Sequence, residues 1–87
     1  MSSKIVKITA KAAAIEKKDL PIKTDYIKLD AALKFAGEAY TGGEAKNAIA
    51  DGRVFVNGEK CVERGKKLHE GDRFRFGRSE YTITKEA

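Results

Sequence analysis

Residues 53–62, with the sequence Arg-Val-Phe-Val-Asn-Gly-Glu-Lys-Cys-Val, decide the fold because they predict a β-hairpin. Two runs of strand-forming composition flank the dipeptide Asn57-Gly58, which supplies the two positive-φ residues of a type I′ turn. A two-residue turn pairs Phe55 with Lys60, and paired residues share a face of the sheet. One face is therefore predicted to contain Val54, Val56 and Cys61. The other face is predicted to carry the cations Arg53 and Lys60.

The residues after the hairpin indicate a loop followed by two more strands. Residues 63–72 are predicted to form a loop that turns at Gly65 and Gly71. Residues 73–76 alternate arginine with phenylalanine, the period-two pattern of a half-buried strand, and residues 80–84 form a last strand. A small sheet is therefore expected, with a core that includes Phe74 and Phe76.

Two segments before the hairpin have helical periodicity. Residues 28–37 place apolar side chains at helical spacing and end on Gly37, and residues 43–52 repeat this pattern and end on Gly52. Phe35 is assigned to the core together with these apolar positions. The expected fold class is α+β, with two short helices that form a helical hairpin packed on a small, mainly antiparallel β-sheet.

Residues 1–25 are predicted to be an N-terminal extension of a domain that comprises residues 26–87. Residues 4–9 have the composition of a strand and residues 10–18 that of a helix, so the extension would contain a strand and a short helix. Pro21 is the only proline in the chain. It is interpreted as the separation between the extension and the domain, because proline pushes the preceding residue away from helical conformation.

The chain has 87 residues and a formal charge of +5, and its charge is distributed unevenly. Residues 1–28 contain seven lysines and three acids, and residues 53–78 contain eight basic and four acidic residues. A face formed by these two blocks suits nucleic acid or an anionic membrane surface, and ordinary solubility charge is the alternative. No apolar run approaches the ~20 residues of a membrane span, so no membrane contact and a cytoplasmic location are expected.

A wider pattern extends from residue 26 to residue 77. A basic residue with Leu-Asp opens the first helix, Gly-x-Val-x-Val-Asn-Gly leads into the hairpin, and Gly-Asp with alternating apolar residues closes the sheet. The positions are Lys28, Leu29, Asp30, Gly37, Ala45, Lys46, Gly52, Val54, Val56, Asn57, Gly58, Cys61, Leu68, Gly71, Asp72, Phe74 and Phe76. This order and spacing resemble the S-four-type RNA-binding domain, also called the alpha-L motif, and most of all its small free-standing bacterial forms. The family's usual arginine at the second helix start is absent, and Gly42 and Gly43 stand there instead.

The resemblance implies RNA binding, and it places Lys28 and Lys46 at RNA-contacting positions. The hairpin and the loop after it add five more cations, enough to neutralise several phosphates. These cations are Arg53, Lys60, Arg64, Lys66 and Lys67. A solvated run of charge is the alternative interpretation of this cluster.

The start of the second helix is a further candidate contact. Thr41 or Gly43 is expected to cap this helix. The backbone N–H groups of Thr41, Gly42 and Gly43 suit a phosphate, because a helix N-terminus carries a partial positive charge. Glycine also lets a sugar-phosphate backbone approach where a side chain would block it. Tyr40, just before this segment, is the aromatic residue best placed to stack on a base.

The sequence offers little basis for catalysis or for a bound cofactor. Residues 40–46 follow a helix and lack the glycine, lysine and hydroxyl spacing of a nucleotide-binding P-loop. His69 is the only histidine and Cys61 the only cysteine, and one of each does not make a convincing metal site. We therefore expect no enzymatic activity, no metal and no cofactor.

These observations predict a non-enzymatic, monomeric protein that clamps structured RNA through a basic surface. The expected RNA is ribosomal RNA or transfer RNA, with association with the ribosome as one form of this role. Two alternatives remain open. The chain could be a protein–protein adaptor whose charge serves only solubility, or a targeting module for an RNA-modifying enzyme on another chain.

Overall fold

The computed structural model describes residues 15–86. The helices are α1 (Leu29–Phe35) and α2 (Gly42–Ala50). The strands are β1 (Glu16–Ile22), β2 (Tyr26–Lys28), β3 (Val54–Val56), β4 (Glu59–Lys60), β5 (Lys67–His69), β6 (Arg73–Phe76) and β7 (Ser79–Lys85). The expected α+β class, with two short helices and a mainly antiparallel sheet, is confirmed.

Two sheets arrange these strands. The larger has the strand order β1-β7-β6-β3-β4, and the smaller pairs β2 with β5. All neighbours are antiparallel except β1 and β7, which run parallel and pair Leu20 with Ile83. The smaller sheet continues directly into α1, since β2 ends at Lys28 and α1 begins at Leu29.

The hairpin has the predicted turn and register. Asn57 and Gly58 have φ values of 50° and 88°, and Phe55 pairs with Lys60. Asn57 also joins the turn to β6, because its Oδ1 accepts the Arg73 N–H at 2.9 Å while its own N–H donates to the Arg73 carbonyl at 2.8 Å. The predicted apolar face is confirmed, with Val54 and Val56 buried and Cys61 packed against the core.

The helices pack through narrow apolar stripes. Gly37 and Gly52, with φ values of 83° and 76°, follow their C-termini as expected. Small side chains allow the two helices to lie close together. The buried residues of the helices are Leu29, Ala32, Leu33, Ala45, Ala48 and Ile49, and they join a core that contains Leu68, Phe74, Tyr81 and Ile83.

The N-terminal segment differs from its sequence-based interpretation where the structure describes it. Residues 16–18, expected to be helical, lie in strand β1, and Pro21 lies inside this strand rather than in a linker. β1 is an edge strand, where a missing N–H is tolerated, and its alternate residues Leu20 and Ile22 are buried. The expected strand at residues 4–9 lies outside the described residues, and the division of the chain at residue 25 stays a prediction.

Two further expectations were wrong. Residues 63–72 are not entirely a loop, because β5 forms within them and pairs with β2 around the fully buried Leu68. Phe35 is not a core residue, since 61% of its surface is exposed. It is the last residue of α1 and lies outside the buried stripe of that helix. Phe74 is buried and the half-buried Phe76 packs against the core, as expected.

Candidate nucleic-acid interface

The segment between β4 and β5 covers the N-terminus of α1 with its backbone. The Leu29 N–H donates to the Lys66 carbonyl at 2.9 Å, and the Asp30 N–H donates to the Arg64 carbonyl at 3.1 Å. The first N–H groups of a helix have no intrahelical acceptor, so these carbonyls satisfy two of them. The side chains of Arg64 and Lys66 remain exposed. The loop is thus fixed to the helix by its main chain and presents its cations to solvent.

The smaller sheet places two lysines directly opposite each other. Lys28 pairs with Lys67 in the antiparallel ladder, next to the pair of Ile27 and Leu68 that faces the core. Like charges at opposed positions of a ladder destabilise it. Within residues 15–86, neither lysine is paired with an acid. An anion bound between them would remove the repulsion.

Aromatic side chains share the exposed face of this smaller sheet. The Tyr26 and His69 rings lie opposite each other with their centroids 5.9 Å apart. The Lys67 ammonium lies 4.9 Å from the centroid of the Tyr26 ring. Tyr26 was missed from the sequence, because its three-residue strand is too short for its alternation to be recognised.

Lys60 extends the cluster of cations toward the C-terminus of α2. Its side chain lies along Gly52, where an added Cβ would be 3.2 Å from Lys60 Cδ. Lys60 and Lys66 also line one surface depression, together with Cys61 and Glu63. We use the name "basic surface" for the five exposed cations brought together by the loop, the hairpin and the smaller sheet: Lys28, Lys60, Arg64, Lys66 and Lys67.

Arg53 and Lys46 lie outside this grouping. Arg53 precedes β3 and is not part of the hairpin ladder. Its Nη2 lies 3.9 Å from Asp51 Oδ2, and its guanidinium lies 5.6 Å from the centre of the Phe76 ring. Lys46 is exposed on α2. The structure shows no contact that joins either residue to the basic surface within the described chain.

Within residues 15–86, the start of α2 is capped by one side chain, and the N–H groups of its first two residues have no acceptor. Thr41 Oγ1 accepts the Glu44 N–H at 3.1 Å, so Thr41 is the cap, one of the two predicted candidates. Glu44 Oε1 in turn accepts the Tyr40 N–H at 2.7 Å. Gly42 and Gly43 are the first two residues of α2, so their N–H groups have no intrahelical acceptor.

Neither glycine is required by the packing of the described chain. A Cβ at Gly42 would meet nothing within 4 Å, and one at Gly43 would meet only Thr41 Oγ1 at 3.8 Å. Neither residue has a positive φ. Gly42 also lines a surface depression with Asp30 and Lys34 of α1, which brings the open end of α2 next to the first helix. Lys34 is therefore a candidate contact that its sequence position alone did not identify.

A tyrosine joins the helical hairpin to the sheet. The buried Tyr81 donates its hydroxyl hydrogen to Glu38 Oε2 at 2.5 Å, and Glu38 lies in the connection between the helices. Burial raises the pKa of Tyr81 to about 12, and the hydrogen bond to Glu38 acts in the same direction. Within residues 15–86, no group of three or more His, Cys, Asp and Glu side chains is arranged to hold a metal.

The helical hairpin and the small sheet define a small α+β domain of the alpha-L type. The chain belongs to the S4 domain family, whose family model matches residues 20–84. Domains of this family bind RNA in general. A comparison with curated proteins gives no match. Neither helix in the described part of the chain is long and apolar enough to cross a membrane.

Proposed function

We propose that this protein binds structured RNA, either ribosomal RNA or transfer RNA, through the basic surface and the open end of α2. The observation that carries the proposal is the opposition of Lys28 and Lys67 beside Arg64 and Lys66. The loop backbone and the ladder bring these four residues together, and like charges so placed repel one another. A polyanion is the partner that would make this arrangement favourable.

The basic surface would contact phosphates rather than bases. Each neutralised phosphate contributes about −0.7 to −0.9 to the slope of log affinity against log salt concentration, so five cations give a slope of about −3.5 to −4.5. Cations fixed at set spacings favour a folded RNA whose phosphates match them, because double-stranded RNA is recognised largely by shape and backbone. In this role the protein would catalyse no reaction and would bind RNA as a single copy of the chain.

The α2 start would provide a second kind of phosphate contact. Its free N–H groups at Gly42 and Gly43 and the positive end of the helix dipole favour an anion. The two glycines leave this end uncovered, so a sugar-phosphate backbone can approach to hydrogen-bonding distance. In this protein the backbone would therefore replace the arginine that the family usually has here.

Charge reversal tests the assignment of the surface. A variant with Lys60→Glu, Arg64→Glu, Lys66→Glu and Lys67→Glu is expected to lose at least about 100-fold in affinity for ribosomal or transfer RNA at moderate salt. All four side chains are exposed, so circular dichroism should show an unchanged fold. The measurement is fluorescence anisotropy with labelled RNA across a salt series.

A matched control separates the surface from net charge. Four other exposed cations can be reversed with the same change of charge, in the variant Lys17→Glu, Lys23→Glu, Arg73→Glu and Arg78→Glu. This control should retain most of its RNA affinity. Equal losses in the two variants, or undiminished affinity in the first, would contradict the proposed surface.

One observation favours a second candidate function, that of a protein–protein adaptor. The exposed Phe35 lines an apolar depression together with Pro21, Ile22 and Ile27. A protein partner could cover this depression without using the basic surface. A complex from cell extract that survives nuclease treatment and high salt, and that Phe35→Ala abolishes, would support this role.

A further inference from the structure

A groove beside the start of α2 combines two aromatic side chains with a cation. It has a volume of about 350 Å³, and Tyr40 and Phe76 both line it. Arg53 also lines this groove, with its guanidinium 5.6 Å from the centre of the Phe76 ring. Aromatic rings and arginine guanidinium groups are the side chains on which unpaired bases stack.

Tyr40 is fixed in position although its ring is free. Tyr40 is 87% exposed, more than any other large apolar or aromatic residue of the described chain. Its backbone N–H is held by Glu44 Oε1 at 2.7 Å, and the next residue is the cap of α2. The main chain that carries the ring is therefore already positioned, and little ordering of it would accompany binding.

The charges in the groove favour a base over a phosphate. Glu38 and Glu44 line the groove beside the single cation Arg53, and two carboxylates would repel a phosphate placed there. Carboxylate oxygens instead accept hydrogen bonds from base N–H groups. Within residues 15–86, the Tyr81 hydroxyl and the Tyr40 N–H each use one oxygen of these carboxylates.

Guanine is the base that fits these acceptors best. Its Watson–Crick edge presents the N1–H and the N2 amino group side by side, so that two donors can meet one carboxylate. Adenine and cytosine each offer one amino group on that edge, next to a ring nitrogen that a carboxylate repels. Asn47 also lines the groove, and its side-chain amide can donate a hydrogen bond to a base edge or accept one from it.

We propose that this groove binds one unpaired guanine of the RNA. The base stacks on Tyr40, and its N–H edge meets a carboxylate of Glu38 or Glu44. The inference rests on the proposed function, because it assigns the groove to the same RNA that the basic surface holds. It adds a preference for one base to a surface that otherwise contacts only phosphates.

The test uses two labelled RNA hairpins that differ only in one bulged guanosine, measured by fluorescence anisotropy at low salt. The wild-type protein is expected to bind the bulged hairpin about five- to 150-fold more tightly than the fully paired one, the range for one stacked base. Tyr40→Ala should bind both hairpins alike, and Tyr40→Phe should retain the preference. Hairpins with bulged adenosine, cytidine or uridine should bind more weakly than that with guanosine, and a tighter pyrimidine would overturn the assignment to guanine.

Controls separate failure of the groove from failure of RNA binding. Phe55→Ala removes an aromatic ring that lines a different depression, beside Lys17 and Arg75, and should leave the preference unchanged. Equal affinity of the wild-type protein for both hairpins would refute the groove and leave RNA binding intact. If neither hairpin binds at low salt, where phosphate contacts alone should suffice, the proposed function itself fails. Displacement of the bulged hairpin by an equal concentration of GMP would reassign the groove to a free nucleotide.

Discussion

Replacing Gly42 and Gly43 together with alanine is expected to raise the stability of the protein and lower its affinity for RNA. Neither glycine has a positive φ, and the nearest atom to an added Cβ at either position lies at 3.8 Å. Alanine therefore fits the folded state without displacing a neighbour. It also restricts the unfolded chain, which favours folding.

The gain in stability can be worked from these two sites. A glycine-to-alanine change at a compatible site raises the free energy of unfolding by about 0.4–1 kcal/mol, so the pair should contribute about 1–2 kcal/mol. In a domain of this size, 1 kcal/mol shifts the Tm by roughly 4–8 °C. Thermal unfolding followed by circular dichroism resolves a change of that size.

The loss of affinity follows from where the two methyl groups lie. Cα–Cβ bonds in a helix tilt toward its N-terminus, so both methyls would lie on the side from which a phosphate approaches α2. A hydrogen bond to a charged group is worth about 1.5–3 kcal/mol, so loss of one such contact should weaken RNA binding about 10- to 150-fold. Fluorescence anisotropy on the variant and the wild-type protein measures this loss.

Gly37→Ala is the matched control for this double variant. Gly37 has a φ of 83°, a conformation that costs an L residue about 1–2 kcal/mol, so the same substitution should destabilise the protein there. Gly37 follows α1 and has no predicted RNA contact, so RNA affinity should not change. A double variant that is more stable and binds RNA with unchanged affinity would refute backbone contact at α2. A double variant that is less stable would refute the account of an open helix end.

Three further predictions concern single residues. Tyr81→Phe should lower the free energy of unfolding by about 1 kcal/mol at neutral pH. The pKa of Tyr81 is raised to about 12 in the folded state, so its contribution to the free energy of unfolding is complete below its ordinary pKa of 10.0 and is lost as pH rises toward 12. Urea unfolding should therefore show this alkaline loss of stability only in the wild-type protein. Lys28→Gln should raise the Tm slightly at low salt by removing repulsion from Lys67, and should make the salt slope of RNA binding shallower by about 0.7–0.9. Asn57→Ala should destabilise the protein by about 2–3 kcal/mol, because it loses the hydrogen bond to the Arg73 N–H and puts alanine at a positive φ. Asn57→Gly loses the same hydrogen bond without the strain, so the same urea titration should show less than half of that loss.

Elements encoded by local signals could be predicted from the sequence. The turn at Asn57-Gly58 needs only two residues of known conformational preference, and the helices are bounded by glycines in positive φ. Strand β1 depends instead on burial of alternate residues against β7, which lies more than fifty residues further along the chain. Its composition favours no strand by itself, so the parallel pair could not be foreseen.

The candidate site, too, could be predicted only as far as local sequence signals encode it. Its cations could be identified from charge distribution and from the family pattern. Their arrangement depends on contacts distant in sequence, since Lys28 meets Lys67 only when β2 pairs with β5. Three-residue strands carry too little periodicity to predict that pairing. Tyr26 reaches the exposed face by the same pairing and could not be found without it.

The two helix N-termini of this domain have opposite environments, and this difference organises the proposed interface. The end of α1 is closed by the carbonyls of Arg64 and Lys66, so it cannot offer those N–H groups to a phosphate. The loop that closes it is fixed to the helix by these two hydrogen bonds and exposes the side chains of Arg64 and Lys66 to solvent. Within the described residues, the end of α2 is closed only by Thr41, and the two following glycines leave it uncovered. An RNA that lies across both helices would therefore meet side-chain cations at one end and backbone amides at the other, so salt should weaken the first contact more than the second.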